Sequence, residues 1–246
     1  MEDKIKVGAV SYLNTKPLLY GLERNEIKNR ISILPAYPAQ LAQQLREGSI
    51  DLALLPVAAI SEIPGAEIVS NYGIAADGNV VSVALFSQVP MEDIDTVILD
   101  YQSRTSVRLT QLLFKEYWNK EVQFVPAGPD FIHEIKGSTA GVIIGDRALQ
   151  HLPDFEYNFD LSAAWKDLTG LPFVFAAWVA NKPLPADFIA AFDEANAAGL
   201  QHLDEIAGQH DFPYYSLKTY YHDNIVYYLD ADKKKGLALF LEKIRS

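Results

Sequence analysis

The chain contains no cysteine, which excludes disulfides, thiolate nucleophiles, iron–sulfur ligation and cysteine-based zinc sites together. It has no apolar run approaching the roughly 18 residues of a membrane span. The longest, Leu52 to Ile60 and Leu171 to Ala180, are short and interrupted by proline. Basic charge is scarce, with 21 Lys and Arg against 32 Asp and Glu, a formal net charge of −11. The only basic run is Lys233-Lys234-Lys235, so neither nucleic acid nor a membrane is expected as a partner. Met1-Glu2-Asp3-Lys4-Ile5-Lys6 runs straight into a strand-like segment with no basic or apolar leader region; a mature secreted form could have lost its signal, but a chain starting at Met leads to the expectation of a cytoplasmic protein. The patterns G-x-S-x-G, H-E-x-x-H, G-x-G-x-x-G and G-x-x-x-x-G-K-[ST] are all missing, leaving the usual hydrolase, zincin, dinucleotide and P-loop readings without support.

What remains is 246 residues of globular composition, 49% hydrophobic and 22% charged, enough for two lobes of about 100 to 150 residues each. Lys4 to Val10 reads as a strand and Thr15 to Leu22 as a helix with Pro17 in its first turn. Ile31 to Leu34 is a second strand, and Pro38 to Glu47 a helix with Leu41, Ala42 and Leu45 at helical spacing before Gly48. Asp51 to Leu55 is a third, buried strand. Three strands linked by two helices predict a parallel α/β sheet.

The grammar restarts with a strand at Thr96 to Asp100, a helix at Arg104 to Tyr117, strands at Val122 to Val125 and Ala140 to Ile144, and a short helix at Phe131 to Lys136 between them. Glu67 to Ala76 and Val80 to Phe86 are extended segments separated by the turn-prone Asp77-Gly78-Asn79. Leu171 to Ala180 is the expected return. Long helices follow at Pro185 to Ala207 and Asp232 to Arg245. The expected architecture is a two-lobed α/β fold: residues 1–86 plus 181–246 form lobe one, and 87–180 form lobe two. Two crossing segments join them, with a ligand cleft between.

Ligands of open parallel sheets bind beyond the carboxyl ends of strands. Those ends carry Ser11 and Asn14 after the first strand, Ser103-Arg104-Thr105-Ser106 in the second lobe, and Gly145-Asp146-Arg147 after its last strand. Hydroxyls and N–H groups at a helix start, beside a guanidinium, suit a carboxylate or phosphate. Ser103 or Thr105 equally suits a helix cap. Asn14 can orient a ligand by donating and accepting at once, or it can cap a turn. Ser82, within the first crossing segment, reads as a site residue or as a small strand residue, and Asp146 as a base, a cap or the partner of Arg147. His133, His151, His202, His210 and His222 show no metal-ligand spacing, so no metal is expected. The aromatic series from Phe212 to Tyr228 reads as packing of the C-terminal helices.

Several blocks together resemble one family. Val10-Ser11-Tyr12-Leu13-Asn14-Thr15-Lys16-Pro17-Leu18, Asp51-Leu52-Ala53-Leu54-Leu55-Pro56-Val57, Ser103-Arg104-Thr105-Ser106-Val107, Ile144-Gly145-Asp146-Arg147-Ala148-Leu149 and Trp165-Lys166-Asp167-Leu168-Thr169-Gly170-Leu171-Pro172-Phe173-Val174-Phe175-Ala176 resemble the chorismate dehydratases of the futalosine route to menaquinone. The likeness runs from about Lys4 to Ala180. It implies a type II periplasmic-binding-protein-like fold, each lobe a mixed, mainly parallel sheet flanked by helices. It also implies loss of water from chorismate to give 3-[(1-carboxyvinyl)oxy]benzoate without a cofactor. On that resemblance Asn14 and Ser82 are the catalytic candidates, and Ser11, Ser103, Arg104, Thr105, Ser106 and Asp146 bind substrate. The sister 1,4-dihydroxy-6-naphthoate synthases share the fold but typically carry a Ser-Pro-Cys-Pro-Asn-Asp type of motif where this chain has Ser-Tyr-Leu-Asn-Thr. A non-catalytic binding protein or sensor for a small anionic aromatic or cyclohexadiene acid is the reading of a different class.

Overall fold

Short apolar strands alternate with amphipathic helices through most of the computed structural model, which describes residues 4–100 and 103–245. Met1 to Asp3, part of the leader argument, lie outside that range. In chain order come β1 (Ile5–Ala9), α1 (Lys16–Arg24), β2 (Ile31–Pro35), α2 (Pro38–Glu47), β3 (Leu52–Pro56), β4 (Glu67–Ala76) and β5 (Val83–Ser87). Next are β6 (Thr96–Leu99), α3 (Arg104–Glu116), β7 (Gln123–Pro126), β8 (Thr139–Ile144), α4 (Asp146–His151), β9 (Tyr157–Asp160) and α5 (Leu161–Thr169). The last are β10 (Phe173–Ala180), α6 (Ala186–Gly199), α7 (Leu203–Gly208), α8 (Leu217–Thr219), β11 (Val226–Tyr228) and α9 (Ala231–Lys243).

Contacts divide the chain into two units, Met1–Ala75 with Val174–Asp230, and Ala76–Phe173 with Ala231–Ser246. The first unit carries a six-stranded sheet in the order β11-β4-β10-β3-β1-β2. Strand β1, next to the edge strand β2, is parallel to both β2 and β3, while β10 runs antiparallel to β3. The βαβαβ pattern anticipated from the opening residues is therefore present. Helix α2 forms because Pro38 suits a first turn and Leu41, Ala42 and Leu45 fall on one face. That face is buried with Val10, Ile50, Ala53, Leu55 and Val179, and Gly48 ends the helix at φ +71°.

The second unit carries a five-stranded sheet, β7-β6-β8-β5-β9. Strand β6 is parallel to β7 and β8, whereas β5 is antiparallel to β8 and β9. Phe86, Ile98, Phe131, Ile135, Ile143 and Ala148 share one core.

The unit boundaries differ from those expected. The expectation placed residues 1–86 and 181–246 together and 87–180 apart, whereas the chain changes unit at 75/76, 173/174 and 230/231. The cause is that the crossing segments are interior strands: β5 lies between β8 and β9, and β10 between β4 and β3. Helix α9 belongs to the second unit. Its Gly236 lies so close to the Pro172 carbonyl that a Cβ would sit 2.2 Å from that oxygen, Phe240 packs edge-on against Trp165 and Phe173, and Lys243 pairs with Glu116 at 2.5 Å. The helix expected over Pro185 to Ala207 is broken at Leu200–His202, where a tighter turn separates α6 from α7. Of the aromatic series, Tyr220, Tyr221 and Tyr227 are buried, while Tyr214 and Tyr228 are exposed.

One ion pair in the first unit has a measurable consequence. Asp51 accepts the Lys6 N–H at 2.8 Å and pairs with Lys182 at 2.5 Å. Burial pushes its carboxyl upward, but the Lys182 ammonium and the Lys6 N–H outweigh this and hold it below the ordinary range. A depressed folded-state value means the contribution is present above about pH 4 and is lost as pH falls through the still lower folded value. Asp51→Asn is expected to cost about 1 kcal/mol near pH 7, since Lys182 remains half in water. The gap to the parent closes in acid. Equal urea midpoints at pH 7 would remove the pair from the stability of this unit.

Candidate functional site

In the second unit three loops converge on one end of the sheet. Strand β8 ends at Ile144, opposite the first residue of the antiparallel β5, Val83, so Ser82 and Gly145 become neighbours. The Gly145 N–H donates to the Ser82 carbonyl at 2.7 Å. Strand β6, parallel to β8, ends at Leu99 and delivers Asp100 to the same end. Arg147, in the first turn of α4, reaches back to Asp100 with Nη2 2.5 Å from Oδ2. The Asp100 side chain is 0% exposed and that of Arg147 27%, so this pair fastens the loop after β8 to the end of β6. Gly145 sits at φ +65°, ψ −145°, a region open essentially to glycine alone.

Ser103 is the N-cap of α3. Its hydroxyl accepts the Ser106 N–H at 3.1 Å and lies 2.8 Å from the Ser106 hydroxyl, and Thr110 donates to the Ser106 carbonyl at 2.8 Å. Ser103, Thr105 and Ser106 are buried, while Arg104 is exposed. The cap alternative is thus observed for Ser103. What the segment presents outward is a guanidinium at the positive end of a 13-residue helix.

Ser82 is fully buried and preceded by an unusual backbone. Val81 has φ +57°, and its N–H donates to Asp160 Oδ2 at 2.7 Å. The other oxygen of Asp160 accepts the N–H groups of Ser162 and Ala163 at 2.9 and 3.0 Å, capping α5. Burial pushes the Asp160 carboxyl above its ordinary range, opposed by the N–H donors of Ala163, Val81, Ser162 and Val80.

The remaining candidates belong to the first unit. Ser11 and Asn14 follow β1, Ser11 exposed and Asn14 half-buried. The buried Thr15 donates its hydroxyl to Asn14 Oδ1 at 3.3 Å, and its N–H to the Tyr12 carbonyl at 3.0 Å, fixing the turn into α1. The structure thus brings Ser82, Ser103 to Ser106 and Asp146 to one sheet end, and places Ser11 and Asn14 in the other unit.

Sequence reasoning did not single out Asp100, Asp160 or the backbone of Val81. Asp160 had a legible signal, an aspartate immediately before Leu161-Ser162-Ala163 at a helix start. The link from Asp100 to Arg147 spans 47 positions and has no local signature. Among the described residues no group of three or more His, Asp or Glu side chains could hold a metal ion, and no helix is long and apolar enough to cross a membrane.

The sequence profile of a family described as menaquinone biosynthesis matches residues 5–246. The chain belongs to the menaquinone biosynthesis family. A chorismate dehydratase of Thermus thermophilus is 29% identical over 271 residues, covering 97% of this chain and 94% of that protein. A second chorismate dehydratase, from Campylobacter jejuni, is 27% identical over 241 residues, with 93% and 92% covered. Among solved structures, a Candida albicans gene product described as having the generic periplasmic binding protein fold superposes with a TM-score of 0.69 at 13% identity, covering 97% of this chain and 90% of that one. That likeness establishes a periplasmic-binding-protein-like fold for this family member, and at such identity nothing about its ligand.

Proposed function

We propose that the protein is a chorismate dehydratase of the futalosine route to menaquinone, a hydro-lyase that removes water from chorismate to give 3-[(1-carboxyvinyl)oxy]benzoate. The observation that carries this reading is the near full-length match to two dehydratases of that name. The polar end of the second sheet supports it. Chorismate is a dianion, and a chain of net charge −11 needs a local cationic, N–H-rich patch to hold it. Arg104 at the start of α3, with the N–H groups around it, offers one.

The reaction removes the ring proton at C3 and the hydroxyl at C4. As the C–H bond breaks, charge spreads through the conjugated diene into the ring carboxylate; departure of hydroxide, protonated to water, leaves an aromatic ring. Aromatisation supplies most of the driving force. The protein's work is to hold the dianion, stabilise charge growing on the ring carboxylate and exclude water. Ser103, Arg104, Thr105 and Ser106 are assigned to a carboxylate, with Ser11 beside the substrate. Asn14 and Ser82 are assigned to orienting the ring and the leaving hydroxyl. The proton acceptor is the enolpyruvyl carboxylate of the substrate, with Asp146 as the protein alternative.

Metal-free protein incubated with chorismate and followed by liquid chromatography and mass spectrometry is expected to yield a species lighter by one water with a benzoate spectrum. Bound but unchanged chorismate would instead mark a sensor. Arg104→Ala is expected to raise KM about tenfold to a hundredfold, the value of a charge-assisted contact. Unchanged KM and kcat in that variant would take Arg104 out of the site.

A further inference from the structure

We propose that Asp160 is a positioning residue for Ser82, acting through the backbone of Val81; the inference rests on the reading that Ser82 touches the substrate. Val81 is β-branched and sits at φ +57°, where a Cβ crowds the adjoining carbonyl and where branched residues are rarely found. The Ser82 N–H donates to the Val80 carbonyl at 2.7 Å, closing a three-residue turn of the uncommon positive-φ kind. Valine does not choose this conformation, so the surroundings impose it.

The imposing contacts come from α5 and its cap. Asp160 Oδ2 takes the Val81 N–H at 2.7 Å, while Oδ1 is occupied by the first turn of α5. Asp160 is itself fixed in register as the last residue of β9, opposite Ala84 of β5. The start of the same loop is tied to the same helix by the ion pair between Asp77 and Lys166. Beyond the turn, the Ser82 carbonyl is held by the Gly145 N–H. With the Asp160 acceptor gone, Val81 relaxes toward the extended backbone continuous with β5. Successive residues of an extended strand point to opposite faces, so this relaxation turns the Ser82 hydroxyl away from where the bent loop directs it.

Two substitutions separate the clamp from the cap. Asp160→Ser keeps an N-cap oxygen for Ser162 and Ala163 but has neither the second oxygen nor the length for Val81. Asp160→Asn replaces one of the two acceptor oxygens by a donor that faces N–H groups. Both variants, checked for folding by circular dichroism, are expected to lose about thirtyfold to a hundredfold in kcat for chorismate with KM within threefold. Adding Val81→Gly is expected to restore at least tenfold of the loss, because glycine adopts positive φ without a clamp; a merely structural role for Asp160 predicts no such rescue. Should Asp160→Asn fail to fold, Asp160→Ser with and without Val81→Gly carries the same test. Folded Asp160 variants with parental kcat, or a loss that Val81→Gly leaves untouched, overturn the proposal. Ser82→Ala distinguishes the layers: if it is inactive while the Asp160 variants are fully active, only the clamp falls. If Ser82→Ala turns over like the parent, or the parent leaves chorismate unchanged, the reading of Ser82 falls and the clamp's role falls with it.

Discussion

Arg147→Met is expected to lower the free energy of unfolding by about 3–5 kcal/mol, the usual cost of removing one partner from a buried ion pair. The size follows from the asymmetry of the pair. Asp100 is fully buried and Arg147 mostly so, at a separation of 2.5 Å. Methionine fills much of the volume of the arginine stem and keeps its packing near Phe131, whose ring lies 5.9 Å from the guanidinium carbon. The substitution therefore reports on charge more than on shape. What it leaves is an aspartate inside the protein without the guanidinium that compensated it. Removing both charges, as Asp100→Asn with Arg147→Met, is expected to recover a large part of the loss, since the pair's net value is far smaller than the penalty for removing only one of its two charges. Urea unfolding with the m-value held as a check measures both steps. A single variant within 1 kcal/mol of the parent, or a double variant no better than the single, would sink the argument. The pair also joins the end of β6 to the loop after β8, so a rise in KM for chorismate is expected alongside.

How much of this was legible in the residues depends on range. Helix α2 and strands β1 to β3 could be read because Leu41, Ala42 and Leu45 repeat at helical spacing, Pro38 opens the turn and Gly48 closes it, all within a dozen positions. The candidate loops could be singled out for a related reason: in α/β sheets, polar residues just beyond a strand's carboxyl end announce themselves by contrast with the apolar run before them. The unit boundaries were not legible. Val80 to Phe86 looks like a connection because it lies between two stretches of the same strand–helix grammar, and Leu171 to Ala180 because it follows the second, yet their apolar side chains place them inside sheets, next to partners distant in sequence. Val81 shows the limit most clearly. No propensity places valine at positive φ, so the turn before Ser82 is set by Asp160, 79 positions away. Where local preference and tertiary demand conflict, only the tertiary contact reveals the outcome.

Gly21→Ala is expected to destabilise the first unit by about 2–3 kcal/mol even though alanine favours a helix interior by about 1 kcal/mol over glycine. Helices α1 and α6 pack against one another at a crossing built on two glycines. A Cβ on Gly21 would stand 1.9 Å from the Ala195 carbonyl oxygen and 2.8 Å from the Gly199 nitrogen, and a Cβ on Gly199 would stand 2.0 Å from the Pro17 carbonyl oxygen. These are backbone atoms of the opposing helix, so no side chain can swing aside and the helices must part along their contact. Gly208 supplies the control. It is the last residue of α7, and a Cβ there meets nothing within 4 Å, so Gly208→Ala is expected to be neutral or slightly stabilising. Equal urea midpoints for the two variants would show that α1 and α6 separate without cost. Gly199→Ala carries the same strain to a more consequential place. Pro17, which it would strike, lies two residues after Thr15, whose hydroxyl holds the Asn14 amide oxygen. Pushing on the first turn of α1 therefore moves Asn14, whereas pushing on Gly21 acts a full turn further along. Of the two, Gly199→Ala is expected to show the larger loss of kcat for chorismate at similar stability, and the reverse order would separate Asn14 from the position of that turn.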